Sequence, residues 1–479
     1  VEMFSGASAA FSMYPGLTVA AANLLAARGS EWMRAQVLPK MIDGRWAGTM
    51  CLTESQAGSA VGDAKTIAER AGDHYLLRGQ KIFVSGGEQD LTENIIHLML
   101  ARTSDAPEGI KGLSLFLVPK FLVGPDGGMG ARNDVRCVGI EHKMGINGSA
   151  TCTLAVGDNG GATGWLIGDE GEGIRHMFLM MNEARIGVGI QGYAVASAAL
   201  QNATAYAQDR VQGTKLVDLA DASAQRVAII EHSDVRRMVL KMRALVHGMR
   251  ALGLTLGSLA QQWHRDPDSP EGKQRQDVLE VLTPICKAWC TDMGFEVTRE
   301  AIQVYGGYGY IGEYPVEQHL RDAKIFSIYE GTNGIQAMDL LGRKMARKGG
   351  LAFMQTLQWI NEHIETLNTC GGGFDAEVKL IEAARDRLGA AAMHLSAVGM
   401  TGDQEAAVSH AVDMLHLFGD VVIGALLGEQ AALAHGKLAA LAAEAGVDLG
   451  EADARRAWLQ GHDDARFYAG KLDNVRYFA

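Results

Sequence analysis

The sequence has few cysteines, and they lack the spacings that cysteine chemistry requires. Six cysteines are scattered along 479 residues, without a C-x-x-C pair or a disulfide framework. Cys286 and Cys290 lie four residues apart on a predicted helix, but no neighbouring His or third Cys completes a zinc site. We therefore expect neither a metal nor a disulfide, and the pattern is typical of a reducing cytoplasm.

Positive charge is also scarce. The chain has 44 Lys and Arg against 56 Asp and Glu, a formal net charge of −12. This disfavours nucleic acid and anionic membranes as partners, although a local basic cluster can still hold a phosphate-bearing ligand. No uninterrupted apolar run reaches about 18 residues, so the sequence predicts no membrane span. The chain starts at Val1 inside an apolar segment, and we expect further sequence upstream, so no targeting segment is assigned.

Changes in hydrophobic periodicity and in turn signals along the sequence predict an α+β protein with four parts. Residues 1–48 read as the end of a helical domain, with pieces at 8–13, 17–28 and 30–42. Residues 49–168 read as short strands of a barrel or sandwich, at 75–85, 95–101, 113–118 and 151–156. Residues 169–345 read as a four-helix bundle, with helices at 174–210, 233–263 and 278–305 and one after Asn333. Residues 346–479 read as a separate Ala- and Leu-rich helical unit, which opens at a Lys-Gly-Gly linker, 348–350, and is interrupted at 370–374.

One carboxylate stands out in the segment 321–336, which reads R-D-A-K-I-F-S-I-Y-E-G-T-N-G-I-Q. Glu330 follows an apolar run and precedes a predicted helix. Asn333 is a good N-cap residue, and Gln336 follows at the spacing of a capping box. A carboxylate in apolar surroundings can have its pKa raised into the range of a working base. Most loop carboxylates are simply solvated, so this segment alone leaves both interpretations open.

One segment matches the residue pattern of a dinucleotide-binding motif, but the secondary structure predicted around it does not fit that motif. Residues 307–312 read G-Y-G-Y-I-G, which matches G-x-G-x-x-G, and Glu330 follows at the distance of a ribose-binding acid. That motif requires a strand before it and a helix starting at it. Residues 292–304 instead read as helix, and Glu313-Tyr314-Pro315 follows, which does not open a regular helix. We therefore reject a Rossmann interpretation.

Several spaced motifs together resemble the signature of the acyl-CoA dehydrogenases, flavoenzymes that oxidise acyl thioesters. They are Q-V-Y-G-G at 303–307, Y-P-V-E at 314–317, R-D-A-K-I at 321–325 and Y-E-G-T at 329–332. The likeness covers about residues 20–345. It is strongest to a large bacterial branch with an extra C-terminal helical domain, to which the 3-(methylthio)propanoyl-CoA dehydrogenases belong.

The resemblance implies an FAD site built from three segments. The first, at 50–59, binds the flavin in the family, and its small and hydroxyl residues suit close approach to a ligand. In the second, Phe83 stands where the family has Trp and Ser85 where it has Thr, and strand alternation predicts both on one face. Arg210 matches an arginine that reaches the flavin pyrophosphate of a neighbouring subunit. The residues implied to bind FAD are Cys51, Leu52, Thr53, Ser59, Phe83, Ser85, Arg210, Gln303, Gly306, Gly307 and Thr332. Without the resemblance, the first segment favours a polar turn that joins a helix to a strand, and the second can be an ordinary core strand.

The resemblance also implies the catalytic base and the substrate contacts. Some members carry the catalytic Glu at the position of Ala184, which leaves Glu330 as the base here. Glu183 is one residue away and points about 100° from that position on a helix. Residues implied to contact substrate are Ser59, Asn182, Arg185 and Gly331. The expected reaction is α,β-dehydrogenation, with the enolate-like oxygen stabilised by backbone N–H of the catalytic Glu and a flavin hydroxyl.

The resemblance implies acyl-CoA as substrate, an electron-transfer flavoprotein as electron acceptor, and a homodimer or dimer of dimers. The first candidate for the acyl group is 3-(methylthio)propanoyl, since the branch suggests it. Two alternatives stay open. One is an acyl-CoA oxidase that passes electrons to oxygen. The other is a non-enzymatic, DNA-associated flavoprotein, which the net charge of −7 in residues 346–479 disfavours.

Overall fold

The computed structural model describes residues 1–479, which fold as two compact units. The first consists of Val1 and residues 3–187, and the second of Glu2 and residues 188–479. All strands lie in the first unit. They are β1 Trp46–Cys51, β2 Ile67–Ala71, β3 His74–Ser85, β4 Asn94–Thr103, β5 Leu113–Pro119, β6 Phe121–Val123, β7 Met129–Arg132, β8 Val135–Ile140, β9 Thr151–Val156 and β10 Ala162–Ile167.

Eight strands form one sheet with the order β1-β4-β5-β10-β3-β9-β8, and β2 pairs with both β3 and β4. The long strand β3 pairs with β10 in its first half and with β9 in its second half. The other long strand, β4, pairs with β1, β2 and β5. Strands β6 and β7 form a separate two-stranded ribbon. The expected strands at 75–85, 95–101, 113–118 and 151–156 are all present, whereas the sequence analysis missed the other six.

Both faces of the central strand β4 are buried, since alternate side chains point to opposite sides of a strand. Ile96, Leu98 and Leu100 pack into a core that includes Leu24 and Leu25. The intervening Met99 and Ala101 belong to a second core on the other face. The sheet is therefore fixed in register from two sides, which gives the loops at its edges a rigid support.

Helices occupy the rest of the chain. They are α1 Glu2–Ala7, α2 Ala9–Arg28, α3 Leu38–Ile42, α4 Gly173–Asp209, α5 Ser233–Arg265, α6 Pro270–Tyr305, α7 Val316–Lys324, α8 Asn333–Asp339, α9 Leu351–Thr369, α10 Asp375–Met400, α11 Gln404–Ser409, α12 Ala411–Ala445, α13 Ala452–Gly461 and α14 Asp463–Phe478. Helix α8 is short because a π-helical turn at Leu340–Lys344 follows it at once.

Two gaps expected between helices are absent or shorter than the sequence indicated. The gap expected between residues 13 and 17 is closed, because α2 continues through the exposed Pro15. The gap expected between the helices at 233–263 and 278–305 is shorter, because α5 continues to Arg265 and Pro270 is the first residue of α6. Proline lacks only an N–H that is unpaired at this position anyway. The Ser269 hydroxyl accepts from Gly272 N at 2.9 Å and caps the helix.

The separation of the last helices follows the expected signals. Lys348, Gly349 and Gly350 all have left-handed backbone conformations, with φ of 53°, 69° and 91°, and α9 starts directly after them. The glycines at 371–373 separate α9 from α10. The boundaries of the four predicted parts remain a proposal.

Two helices are long and apolar enough to cross a membrane by length and composition, α2 and α12. The expectation of no uninterrupted apolar run is not contradicted, because mean hydropathy averages over the Gly residues and single charges that interrupt these helices. Helix α12 has 72% of its most apolar window buried in the protein, which is typical of a core helix.

Candidate active site

The predicted flavin strand contains a β-bulge. The register of β3 against β9 shifts between Lys81 and Val84, and Phe83 has a left-handed backbone with φ of 57°. Lys81 and Val84 are buried, whereas Phe83 is 60% exposed and Ser85 is half-buried. Simple alternation would place Lys81 with Phe83 and Ser85. The bulge turns Lys81 inward and leaves the apolar ring of Phe83 facing outward.

The loop at 52–59 is fastened to this bulge. Ile82 N donates to Thr53 O at 2.9 Å, and Lys81 Nζ donates to Leu52 O at 3.1 Å and to Glu54 Oε1 at 2.7 Å. The Glu54 carboxylate accepts further bonds from Lys65 N and from the backbone and hydroxyl of Thr66. The two flavin segments expected from the sequence, at Thr53 and Phe83, are therefore neighbours.

Glu54 and Lys81 form a buried ion pair. Burial alone would raise the pKa of Glu54, but the Lys81 charge and the hydrogen bonds hold it at about 2. Burial lowers the pKa of Lys81, and the Glu54 charge opposes that shift. We take the pair as charged because its carboxylate is so fully hydrogen-bonded. Sequence analysis missed this pair, although a Lys inside an otherwise apolar strand was a signal.

The other expected residues of this segment differ in exposure. Cys51 is fully buried, and burial raises the pKa of its thiol to about 11, so only its backbone can face a ligand. Leu52 is half-buried and Ser59 is exposed.

No group of three or more His, Cys, Asp or Glu side chains in the chain is placed to hold a metal ion.

The first half of α4 carries three polar side chains, Asn182, Glu183 and Arg185, which lie in different environments. Arg185 is buried, and its guanidinium carbon lies 5.6 Å from the centre of the Phe178 ring. Asn182 is half-buried and its Oδ1 has no hydrogen-bond partner in the protein. Glu183 accepts two bonds of 3.0 Å from Asn23 on α2. Its carboxylate is thus engaged with a neighbouring helix.

Glu330 lies on a tight loop with unusual backbone geometry. Its φ is 57° and that of Gly331 is 86°, so two successive residues are left-handed. This costs a residue other than glycine about 1–2 kcal/mol, and such strain is concentrated at functional sites. Burial raises the pKa of the adjacent Tyr329 well above its usual value, and the negative charge of Glu330 adds to that shift. The Tyr329 hydroxyl donates to Gln191 Oε1.

The N-cap of α8 is Thr332, one residue before the expected Asn333. The Thr332 hydroxyl accepts from Ile335 N at 3.3 Å. Gln336 does not complete a capping box. It is fully buried, and its Nε2 donates to the carbonyls of Glu330 and Gly331 at 3.3 and 3.4 Å. Gln336 therefore holds the two left-handed peptide units in place.

Asn333 fastens the loop to α6. Its Nδ2 donates to Ala288 O at 3.2 Å, to Thr291 Oγ1 at 3.0 Å and to Asp292 Oδ1 at 2.8 Å. Its Oδ1 accepts from Lys287 Nζ at 2.8 Å. Sequence analysis assigned Asn333 a local capping role and missed these contacts, because they join residues more than 40 positions apart.

A cavity of about 680 Å³ in the second unit contains the remaining expected cofactor residues except Gln303 and Thr332. Arg210, His232, Gly306, Gly307 and Tyr308 line it. Arg210 lies over the Tyr308 ring at 5.4 Å and donates to Gln212 Oε1 at 3.2 Å. Gln303 is exposed at the end of α6, where its carbonyl accepts from Gly306 N. No strand precedes the glycines, which agrees with rejecting a Rossmann motif.

The donor set of this cavity fits the pyrophosphate end of FAD. An added Cβ at Gly307 would meet no atom within 4 Å, so no packing inside the protein explains that glycine, whereas the left-handed φ of 61° at Gly306 itself favours glycine. They leave open space beside the guanidinium of Arg210, and an arginine suits a phosphate oxygen. In the first unit, the exposed ring of Phe83 beside the Thr53 loop suits the flat, apolar face of an isoalloxazine.

Comparison with known proteins agrees with this geometry over nearly the whole chain. Residues 49–158 match the acyl-CoA dehydrogenase middle domain, residues 171–345 match the acyl-CoA dehydrogenase C-terminal domain, and residues 354–479 match an acetyl-CoA dehydrogenase C-terminal-like domain. The chain is 41% identical over 480 residues to 3-methylmercaptopropionyl-CoA dehydrogenase of Ruegeria pomeroyi, covering all of this chain and 76% of the relative. This protein belongs to the acyl-CoA dehydrogenase family.

Two further relatives agree with that assignment. A butyryl-CoA dehydrogenase of Syntrophomonas wolfei is 39% identical over 485 residues, again covering all of this chain and 76% of the relative. The solved structure of butyryl-CoA dehydrogenase from Megasphaera elsdenii matches with a TM-score of 0.58 and 28% identity, over 71% of this chain and 79% of its own. The protein is an acyl-CoA dehydrogenase with the fold of its family, and FAD is its cofactor.

Proposed function

We propose that Glu330 is the base that removes the α-proton of the acyl thioester. The observation that carries this proposal is the backbone of Glu330, which is held in a left-handed conformation by Gln336 on its own carbonyl and by Asn333 three residues further on. A strained loop that is fastened on both sides keeps a carboxylate in one place, as proton transfer requires.

The remaining site residues have supporting roles. When bound, FAD supplies the acceptor for the hydride that leaves the β-carbon. Phe83, Ser85 and the loop containing Thr53 would hold its ring system, and Arg210 with Gly306 and Gly307 would hold a pyrophosphate. The α-proton of a thioester is a weak acid, so the backbone N–H of Glu330 would stabilise the developing charge on the thioester oxygen. Asn182 and Arg185 would line the substrate side.

For the acyl group we propose short linear chains, with 3-(methylthio)propanoyl-CoA first. The relatives support this choice because the two described above are named for 3-methylmercaptopropionyl-CoA and butyryl-CoA, whose chains are of similar length. A role in dimethylsulfoniopropionate degradation would follow. The reduced enzyme would pass its electrons to an electron-transfer flavoprotein, and the working form would be a cytoplasmic homodimer or dimer of dimers.

The experiment is an anaerobic titration of the purified holoenzyme with a panel of short acyl-CoAs, followed by flavin absorbance. We expect bleaching with 3-(methylthio)propanoyl-CoA and butyryl-CoA. Glu330→Gln should keep its flavin but lose bleaching and turnover, whereas Glu183→Gln is the matched control because that carboxylate is bonded to Asn23. Appreciable turnover by Glu330→Gln would refute the assignment of the base.

Peroxide measurement separates a dehydrogenase from an oxidase. We expect turnover with an electron-transfer flavoprotein or an artificial acceptor, and little hydrogen peroxide in air. Peroxide formed in step with substrate consumption would instead identify oxygen as the acceptor.

A further inference from the structure

Helix α12, in the C-terminal helical region, contacts α6 closely. His416 Nε2 lies 3.2 Å from Asp292 Oδ2, and Trp289 Nε1 donates to Asp420 Oδ1 at 2.9 Å. Between these two links, an added Cβ at Gly419 would lie 2.2 Å from the Trp289 ring, so the helices touch where only glycine fits. The contact is thus built from two polar links and one tight packing point, all within one turn of α6.

The same turn of α6 holds the loop of Glu330. Asp292 is shared between the two contacts through different oxygens: Oδ1 accepts from Asn333 and Oδ2 faces His416. Asn333 in turn is the first residue of α8, three residues after Glu330. A continuous series of contacts therefore leads from α12 to the catalytic loop.

We propose that His416 is a positioning residue for catalysis, which acts through Asp292 and Asn333 to fix the loop that carries Glu330. The inference rests on the proposed role of Glu330 as base. It assigns to the C-terminal helical region a part in the reaction.

The physical argument concerns orientation. Without a partner on Oδ2, the Asp292 carboxylate can rotate away from Asn333, and the loop loses its strongest fixed acceptor. A shift of about 1 Å in a reacting group can lower a rate by about 10²-fold. His416 acts on Glu330 only indirectly, through Asp292 and Asn333, so the effect of its removal should be smaller. We expect the rate of flavin reduction at saturating acyl-CoA to fall about tenfold, with an unchanged KM and flavin content.

The test compares His416→Ala, His416→Gln and a matched control in the full-length holoenzyme. Glutamine places an amide N–H close to the position of His Nε2, so it should restore the rate to within about threefold of the original. The control is His363→Ala, because His363 also pairs with a residue of α12, Glu429 at 3.4 Å, while its other partner, Trp359, lies on its own helix α9. Rapid-mixing absorbance measures flavin reduction by 3-(methylthio)propanoyl-CoA.

Hydrogen–deuterium exchange over residues 326–340 provides a readout that does not depend on the chemistry. Support consists of faster exchange and slower reduction in His416→Ala, but not in His416→Gln or His363→Ala. Exchange like that of the control overturns the proposal, and so does faster exchange with an unchanged rate. If the unaltered enzyme is not reduced by any acyl-CoA, the proposed function fails, while the exchange data still decide whether His416 holds the loop.

Discussion

The ammonium group of Lys81 lies 2.7 Å from the carboxylate of Glu54, and the two side chains are 0% and 5% exposed. Lys81 also donates to the carbonyl of Leu52, and its neighbour Ile82 donates to the carbonyl of Thr53. A charge pair buried behind the predicted flavin loop therefore determines the shape of that loop.

Removing one member of this pair should be costly. Lys81→Met leaves the Glu54 charge buried without its partner, and we expect a loss of about 3–5 kcal/mol in stability. The loop at 52–59 should also shift, so purified protein should contain less FAD. Thermal unfolding and the ratio of flavin to protein absorbance measure both effects.

The control for this variant is Arg136→Met. Arg136 pairs with Asp158 at 3.0 Å, but their side chains are 67% and 51% exposed. An exposed pair contributes only about 0–1 kcal/mol. Equal losses in the two variants would mean that the buried pair has no special role.

The Glu54 carboxylate should make stability depend on acid pH. Its pKa is lowered from 4.5 to about 2 in the folded protein. A lowered pKa stabilises the fold above the unfolded value, so the contribution is full above pH 4.5 and disappears as pH falls towards 2. The difference in unfolding temperature between the original protein and Glu54→Gln should stay constant from pH 7 to 5 and shrink below that. A difference that widens on acidification would contradict this assignment.

His416 should give the opposite pH dependence. Its hydrogen bond to Asp292 raises its pKa above the usual 6.5 despite partial burial, and the charges of Asp292, Asp420 and Asp413 add to the shift. A raised pKa stabilises the fold fully below the unfolded value, and the contribution is lost as pH rises through the folded value. The advantage of the original protein over His416→Gln in unfolding temperature should therefore be larger at pH 6 than at pH 9. An advantage that grows with pH would show that the charged form is not the stabilising one.

Asn333→Ala removes five hydrogen bonds between the catalytic loop and α6. We expect kcat to fall by about 10²-fold, because Glu330 loses its fixed position, while KM for acyl-CoA changes little. Steady-state kinetics with an artificial acceptor checks this. Asn361→Ala is a control, since Asn361 only accepts one bond from Arg385 in an exposed contact. Equal kcat values in both variants would exclude a positioning role for Asn333.

Gly307→Val tests the cofactor cavity. No protein atom lies within 4 Å of an added Cβ, so the fold should tolerate the change. The new side chain would occupy space that the cofactor needs, and we expect at least a tenfold weaker binding of FAD, about 1.4 kcal/mol. Gly312→Val is the matched control, because Gly312 is equally open but does not line the cavity. Similar FAD affinity in both variants would place the cofactor elsewhere.

The candidate site was only partly predictable from residue patterns. The apolar run before Glu330 drew attention to that carboxylate, but only the family motifs around it made it the candidate base. The expected cap at Asn333 was wrong by one residue, because the Asn side chain forms stronger contacts with α6 than a local cap provides. At Phe83 the alternation rule failed for Lys81, since a bulge adds one residue to the period of a strand.

The sequence by itself determined the family, four of the ten strands, the long helices and the candidate base. These depend on local periodicity and on spaced motifs, which can be read along the chain. Only the tertiary structure decided which groups hold that base and the flavin loop. Lys81 with Glu54, Asn333 with Asp292, and Asp292 with His416 are separated by 27, 41 and 124 positions. Contacts at such separations leave no periodic trace, because they depend on how helices and strands pack rather than on how each one forms.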